Sequence, residues 1–327
     1  MIPIIDMHAH LGNVLYPNGG ALIEAVGVRK RLRFDLISLF ERLWHRRITG
    51  LAYLTQWGYW ADTTASRARN ATATRENFRR SMDETGVTLS VALPIPPHVT
   101  FLEVRAAAGK DPGIIPFTGV DFTRGGDIGA ALAADVAAGA KGLKLHPILQ
   151  RVALDDRRTF EVVEAFAPHG LPILFHCGTT HYYLDASEQD RHIPAFGLPH
   201  HARNLIEAFP RVHFIVGHAG VSSVHNVMAM FGGHSNVWVE PSFQSPATVR
   251  ELMAVFGPER VVFGSDWPWG NRAPAIAIIR RACRGDKGLE RRLFYENAAE
   301  LLRLAEVVEP GNSVVVHFLP TRRRWLR

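Results

Sequence analysis

Short, uninterrupted apolar runs alternate along this chain with longer segments whose apolar residues recur three and four positions apart. The runs fall at residues 4–10, 87–93, 114–120, 142–146, 172–176, 212–218, 237–240 and 261–266. Runs that do not alternate with polar residues fit strands buried on both faces, the pattern of a parallel sheet. The intervening segments predict helices near residues 102–109, 128–138, 159–167, 202–209, 224–230, 246–256, 273–281 and 288–304. Eight strands each followed by a helix predict an α/β fold, a closed (β/α)8 TIM barrel. An open doubly wound sheet is the runner-up, but the glycine-rich turn it needs after the first strand is missing.

The pattern is interrupted once, by a long insertion after the first strand over residues 11–84. Within it, residues 35–44 have helical apolar spacing, residues 51–60 are unusually aromatic (Trp57, Tyr59 and Trp60 among them), and residues 70–85 read as a helix ended by Gly86. The insertion is either a cap over a site or a subunit interface. As a cap, its Trp44, Trp57, Tyr59 and Trp60 would line a pocket, and as an interface it is compatible with a homodimer. Residues 1–310 are expected to form one domain, with 311–327 as a C-terminal extension whose apolar stretch at 313–318 adds an extra strand.

Composition changes this picture little. The chain has 327 residues, and 47% of them are apolar, enough for one large core. Two cysteines, Cys177 and Cys283, do not make a disulfide scaffold, and the strand parity of Cys177 turns it away from His176 into packing. The formal charge of +6 is concentrated in arginine clusters at 29–31, 46–47 and 322–324, without zinc-finger spacing or an aromatic-basic pattern. Nucleic acid is therefore not an expected partner. No export-type leader or membrane-length apolar span is visible, so a cytoplasmic protein without membrane contact is expected.

The candidate chemistry lies where the apolar runs end. Asp6-Met7-His8-Ala9-His10 closes the first run, and on a strand residues two apart share a face, so Asp6, His8 and His10 are expected on one side. Lys144 and His146 end the fourth run, His176 the fifth, His218 the sixth, Glu240 the seventh and Asp266 the eighth. Strand ends converge on one rim of a barrel. His8, His10, His176 and Asp266 could there enclose one divalent ion, most readily zinc, with manganese, iron or cobalt tolerated. Asp266 would both ligate and move a proton, and His218 would be a proton-transfer group, a hydrogen-bond donor to substrate or a further ligand. Lys144, His146 and Glu240 are candidate substrate contacts. His181, Tyr183, His192 and the His200-His201 pair of the following loop read as loop-fixing residues.

Asp6-x-His8-x-His10, His176, Gly217-His218-Ala219-Gly220, Gly264-Ser265-Asp266-Trp267-Pro268 and the late Asn297-Ala298-Ala299-Glu300 segment together resemble the amidohydrolase superfamily. The match is to its amidohydrolase-2 branch, which includes aminocarboxymuconate-semialdehyde decarboxylase. That resemblance implies that His8, His10, His176 and Asp266 are the ligands and His218 the catalytic histidine of a mononuclear site. A strand-four lysine is carboxylated and bridges two metals in binuclear relatives, so Lys144 is either that bridge or an unmodified lysine facing a substrate carboxylate, and the second is favoured.

The expected activity is hydrolysis of an amide, ester or lactone of a small, anionic organic acid by metal-activated water. Non-oxidative decarboxylation of an unsaturated or aromatic carboxylic acid is the alternative. A binding scaffold without turnover is disfavoured by the open coordination position.

Overall fold

The computed structural model describes residues 2–32, 35–43, 56–308 and 314–318. Eight parallel strand segments fill seven of the eight positions of the barrel wall: β1 (Ile5–Ala9), β2 (Leu89–Ala92), β3 (Ile114–Pro116), β4 (Thr118–Gly119), β5 (Leu143–Leu145), β6 (Ile173–Phe175), β7 (Phe214–Val216) and β8 (Val237–Val239). Their order is β1-β2-β3 in one sheet and β4-β5-β6-β7-β8 in the other. β3 and β4 are two halves of one run that turns at Phe117, pairing first with β2 and then with β5. The expected strand at 261–266 is present as the last barrel position but makes only bridges, Val239 with Val261 and Ala9 with Trp267. Met7 N–H donates to the Phe263 carbonyl at 2.9 Å and Asp266 N–H to the His8 carbonyl at 2.7 Å, which closes the wall.

Helices wrap the outside: α4 (Phe101–Ala108), α5 (Ile128–Ala137), the short α6 (Pro147–Gln150), α7 (Arg157–Phe166), α8 (Arg203–Ala208), α9 (Val224–Phe231), α10 (Pro246–Phe256), α11 (Arg272–Cys283), α12 (Lys287–Arg291) and α13 (Asn297–Leu302). Before them the insertion supplies α1 (Leu36–Leu43), α2 (Gln56–Asn70) and α3 (Arg75–Thr85). The single helix expected over 70–85 is broken, because the Thr74 side chain accepts the Asn77 N–H at 3.1 Å and caps a new helix. α2, whose alanine- and arginine-rich second half has weak apolar periodicity, is not among the expected helices. Trp44, residues 51–55 and the side chains of Trp57 and Tyr59 lie outside the described residues, and Trp60 is exposed. The tail expectation holds in part: β9 (Leu304–Val308) and β10 (Val314–Phe318) form an antiparallel pair of their own, apart from the barrel sheets.

Two apolar layers result. Inside the barrel, Ile5, Met7, Val91, Leu93, Ile115, Phe117, Leu174, Ile215, Trp238 and Val262 meet, with Ala298, Leu301 and Leu302 of α13 closing the end where the strands begin. The second layer, between wall and helices, takes the opposite parity: Leu143, Leu145, Ile173, Phe175, Phe214, Val216, Val237 and Val239. Lys144, His176 and Glu240 therefore share the inward parity of their strands.

β1 departs from strict alternation. Ile5 and Met7 belong to the inner layer and Ile4 to the outer one, yet Ala9, which shares the parity of Ile5 and Met7, belongs to the outer layer as well. The register explains it: the four residues Asp6 to Ala9 of β1 lie opposite the three residues Ser90 to Ala92 of β2. This one-residue bulge reverses the phase, as bulges beside active sites do. His8 and His10 consequently turn inward, whereas Asp6 faces the helices. The expectation that Asp6 shares their face is corrected.

Outward-facing Asp6 meets Arg272, the first residue of α11; both are buried. Arg272 Nε donates to Asp6 Oδ2 at 3.0 Å, Nη2 to Ser90 Oγ at 3.0 Å and Nη1 to the Phe78 carbonyl at 3.2 Å. The guanidinium carbon lies 4.5 Å from the Phe78 ring centre and 5.2 Å from that of Trp267, within cation–π range. Asp6 also accepts Ser265 N–H at 2.9 Å and Ser265 Oγ–H at 2.6 Å. Removing one partner of such a pair strands a buried charge. Arg272→Met is expected to cost about 3–5 kcal/mol of stability, read from chemical unfolding. A loss below about 1 kcal/mol would show that Asp6 finds other compensation.

Candidate active site

The bulge, the parity of the later strands and two glycines bring the expected residues to one rim. Gly264 is required there, because a Cβ on it would stand 2.4 Å from Glu240 Cγ. At Gly217 a Cβ would stand 2.9 Å from the Phe175 carbonyl oxygen and 3.3 Å from His8 Cε1. The loops bearing the other two groups are strained: Asp266 and His218 both have φ of 57°, and Val221, a β-branched residue, has φ of 50°. Gln244 holds the second loop by donating to the carbonyls of His218 (2.8 Å) and Val221 (2.9 Å).

His8, His10 and Asp266 form a compact triangle. His8 Nε2 and His10 Nε2 are 3.3 Å apart, and Asp266 Oδ1 is 3.4 Å from each. Their far sides decide their protonation. His10 Nδ1 lies 2.9 Å from the Leu93 carbonyl, which can only accept, so Nδ1 carries the hydrogen. His8 Nδ1 lies 2.7 Å from Glu240 Oε2, which also accepts the His218 N–H at 3.2 Å and Ser242 Oγ–H at 3.1 Å. By this network assignment both Nε2 atoms present bare lone pairs towards each other. Asp266 Oδ1 is buried and meets no hydrogen-bond donor.

Three acceptors converging without a proton fit a cation. Two ligands about 2.1 Å from one ion, at a near-tetrahedral angle, lie about 3.4 Å apart. Glu240 and the Leu93 carbonyl hold the two imidazoles as carboxylates and carbonyls hold metal-ligating histidines. Among the described residues, Lys144 Nζ is the donor at this point, 3.2 Å from His8 Nε2.

His176 stands beside this triangle. Its ring centre is 5.0 Å from that of His218 and 4.3 Å from that of His146, and its Nε2 faces the Gly178 carbonyl at 2.9 Å, leaving Nδ1 as the nitrogen outside that bond. His218 stacks on His8 with ring centres 4.6 Å apart, bonds Ser242 Oγ through Nδ1 at 2.6 Å, and has Nε2 3.9 Å from Asp266 Oδ2.

His146 and Glu240, expected at substrate, are engaged by protein. His146 Nδ1 accepts the Leu149 N–H, its Nε2 meets the Tyr182 hydroxyl at 3.1 Å, and its ring stacks on His176. Glu240 is fully buried beneath His8. In the loop after β6, Tyr183 donates to the Leu15 carbonyl at 2.6 Å and His201 bonds Asp155, both structural contacts.

Residues that the sequence does not single out complete the site. Trp269 lies edge-on to His10 with ring centres 4.9 Å apart, and Tyr182 lies 6.1 Å from Trp269. Aromatic residues in loops carry no periodic signal, and only position after a ligand-bearing strand end could have marked them.

Burial dominates the titration of the cluster. It lowers the pKa of His8, His10, His146 and His218 well below 6.5 and that of His176 to about 3, with the Lys144 charge adding to the effect. It pushes Glu240 up to about 7 and Asp266 well above the carboxylate range. Lys144 is brought down to about 7 by burial, against the pull of Asp266 and Glu240. On α2, Asp62 is pushed up to about 6, again by burial. The two cysteines are buried, free and pushed up to about 12, and so are inert packing.

A family model described as Amidohydrolase matches residues 5–304 of the chain. None of the curated proteins matches it. Among solved structures, the chain is similar to 5-carboxyvanillate decarboxylase from Sphingomonas paucimobilis. The identity is 16% and the TM-score 0.59, over 93% of this chain and 99% of that one. It is similar to the enzyme of that name from Novosphingobium aromaticivorans, complexed with manganese and a nitrobenzoic acid, at 15% identity and TM-score 0.59 over 92% and 96%. A probable 2-pyrone-4,6-dicarboxylic acid hydrolase from Acinetobacter baumannii, with citric acid bound, shares 14% identity at TM-score 0.55 over 92% and 99%. At these identities the likeness is one of fold. No helix among the described residues is long and apolar enough to cross a membrane.

The pKa shifts give a signed expectation for protein stripped of divalent ions. An imidazole whose folded pKa lies below 6.5 leaves the unfolded chain binding more protons as pH falls, so stability falls with it. Glu240 acts oppositely between 4.5 and about 7, because there the folded state binds the extra proton. Asp266 acts in the same sense as Glu240. Five imidazoles oppose two carboxyls, so the thermal midpoint is expected to fall on acidification below 6.5. A midpoint that rises instead would show that the two carboxyls dominate.

Proposed function

The chain belongs to the amidohydrolase family, and from that membership and the acceptor-only triangle we propose a metal-dependent decarboxylase of a small aromatic or unsaturated carboxylic acid. His8, His10 and Asp266 Oδ1 would hold one divalent ion; His176, whose nitrogens do not converge with theirs, would have to turn to add a fourth donor. The carrying observation is that two bare imidazole nitrogens and a donorless carboxylate oxygen face one another in a buried space. Manganese replaces zinc as the first candidate, on the strength of the manganese-bound relative. Decarboxylation is placed above the hydrolysis expected from sequence because of the activities of the solved relatives.

When bound, the ion supplies positive charge that holds a substrate oxygen and draws electron density from the carbon losing its carboxylate. Asp266 divides its work between its oxygens, Oδ1 towards the histidines and Oδ2 towards His218. Oδ2, the oxygen turned away from the two histidines, is the one placed to carry a proton. In the proposed step the bond from ring or alkene carbon to carboxylate breaks, carbon dioxide leaves, and the Asp266 proton forms the new C–H bond. Nothing is oxidised or reduced. His218, fixed by Ser242, would return a proton from solvent to Oδ2. Lys144 would meet a substrate oxygen, with Trp269 and Tyr182 as apolar walls. Glu240 and His146 are assigned to positioning His8 and His176. Arg69 is not assigned to the substrate carboxylate, since its guanidinium is bonded to protein.

Hydrolysis is the second reading, favoured by the lactone-type acid of the Acinetobacter relative. There Asp266 would accept a proton from water instead of donating one.

The deciding experiment incubates the manganese-loaded protein with hydroxylated benzoic acids and with 2-pyrone-4,6-dicarboxylic acid. Release of carbon dioxide with loss of one carboxyl is expected, and Asp266→Asn should lower kcat by about 10²–10⁴-fold. Ring opening without carbon dioxide would replace this reading with hydrolysis.

A further inference from the structure

The insertion reaches the loop beyond Asp266 at two buried points. Arg69 of α2 is 3% exposed and donates through Nη1 to the Trp269 carbonyl at 2.5 Å. Its other donors are taken within the insertion, by Asp35 Oδ2 at 2.9 Å, Ser38 Oγ at 2.8 Å and Glu41 Oε1 at 3.4 Å. Glu41 of α1, also 3% exposed, accepts the Asn271 backbone N–H at 2.6 Å and the Asn271 side-chain amide. Residues 269 and 271 thus both end on insertion side chains. Gly270 between them donates its N–H to the Asp266 carbonyl at 3.0 Å.

Asp266 needs such restraint. A non-glycine residue with φ of 57° is strained and persists only where its surroundings over-determine it. On its N-terminal side the His8 carbonyl accepts its N–H. On its C-terminal side the loop makes one turn through Gly270, and Arg69 and Glu41 hold the two residues that flank that glycine. The same clamp fixes Trp269, whose ring stands against His10.

We propose that Arg69, together with Glu41, is a positioning group for the divalent ion. The insertion holds residues 266–271 in the conformation in which Asp266 Oδ1 meets His8 and His10. This rests on the metal-centre reading above. A displacement of α1 or α2 would then be felt at a ligand through two hydrogen-bonded links.

The test uses the full chain with Mn²⁺ alone as probe. Affinity is measured by competition with a chelator, and thermal midpoints are taken with and without the ion. Arg69→Met is expected to weaken Mn²⁺ binding about 10–100-fold, the usual range for groups that orient ligands, and to shrink the ion-induced rise in midpoint. Arg69→Lys, which can still reach the Trp269 carbonyl, should recover part of the affinity. If Arg69→Met does not fold, Glu41→Gln serves in its place, because it keeps an acceptor for the Asn271 N–H and loses the second; it should still bind Mn²⁺ more weakly. A folded variant that lowers the midpoint of the ion-free protein but binds Mn²⁺ within about twofold of the unsubstituted chain would overturn the proposal, leaving Arg69 a purely structural group. Failure of the unsubstituted chain to bind any divalent ion would instead overturn the metal-centre reading itself.

Discussion

The architecture depends on the ion pair between Asp6 and Arg272. The barrel is closed where its first and last positions meet, and there the wall has bridges in place of a continuous ladder. Asp6 supplies what the ladder omits, by accepting the Ser265 N–H and hydroxyl while holding Arg272. Arg272 extends the joint to Ser90 on β2 and to the Phe78 carbonyl on α3. Burying both charges is costly, and the cost is offset only because nearly every donor and acceptor is used. What the pair secures is relative position. His8 and Asp266 come from opposite ends of the chain, and each is the near neighbour of a residue in this network.

Inside the barrel the charge logic is reversed. The outward pair brings opposite charges together, whereas the rim gathers acceptors with Lys144 as their neighbouring donor. The same burial drives imidazoles towards their neutral form and carboxyls towards theirs, so without a cation the cluster can only be neutralised by protons. The arrangement of partners opposes that outcome. The ionised Glu240 and the Leu93 carbonyl place hydrogens on the far nitrogens of His8 and His10, which leaves the near ones bare. The orientation of both rings is thereby set by the protein's own hydrogen bonds.

Much of this is legible in the sequence. Apolar runs ending in His176, His218, Glu240 and Asp266 locate the strand ends, and inward parity then follows for Lys144, His176 and Glu240. β1 defeats period-two reasoning, which cannot see an inserted residue: it places Asp6 beside His8, and the bulge sends it to Arg272. The break at Thr74 is hidden because a capping threonine looks like any other helix-tolerant residue until its hydroxyl is seen on Asn77 N–H. Glu240 and His146 have the residue types of substrate contacts, and only their partners reveal that protein already engages them. Tyr182 and Trp269 come from loops, where no periodicity speaks. The choice between hydrolysis and decarboxylation is not legible at all, since one ligand set serves both.

The bulge in β1 also bears on how such a site can change over time. A substitution at position 8 or 10 alters which atom is offered at the rim but leaves the direction of the offer intact, because direction is set by a count of residues and not by their identity. Only an insertion or deletion in β1 would turn that pair of positions into the helix layer. Single replacements can therefore remodel the loops and walls around the rim while the direction in which positions 8 and 10 project stays fixed.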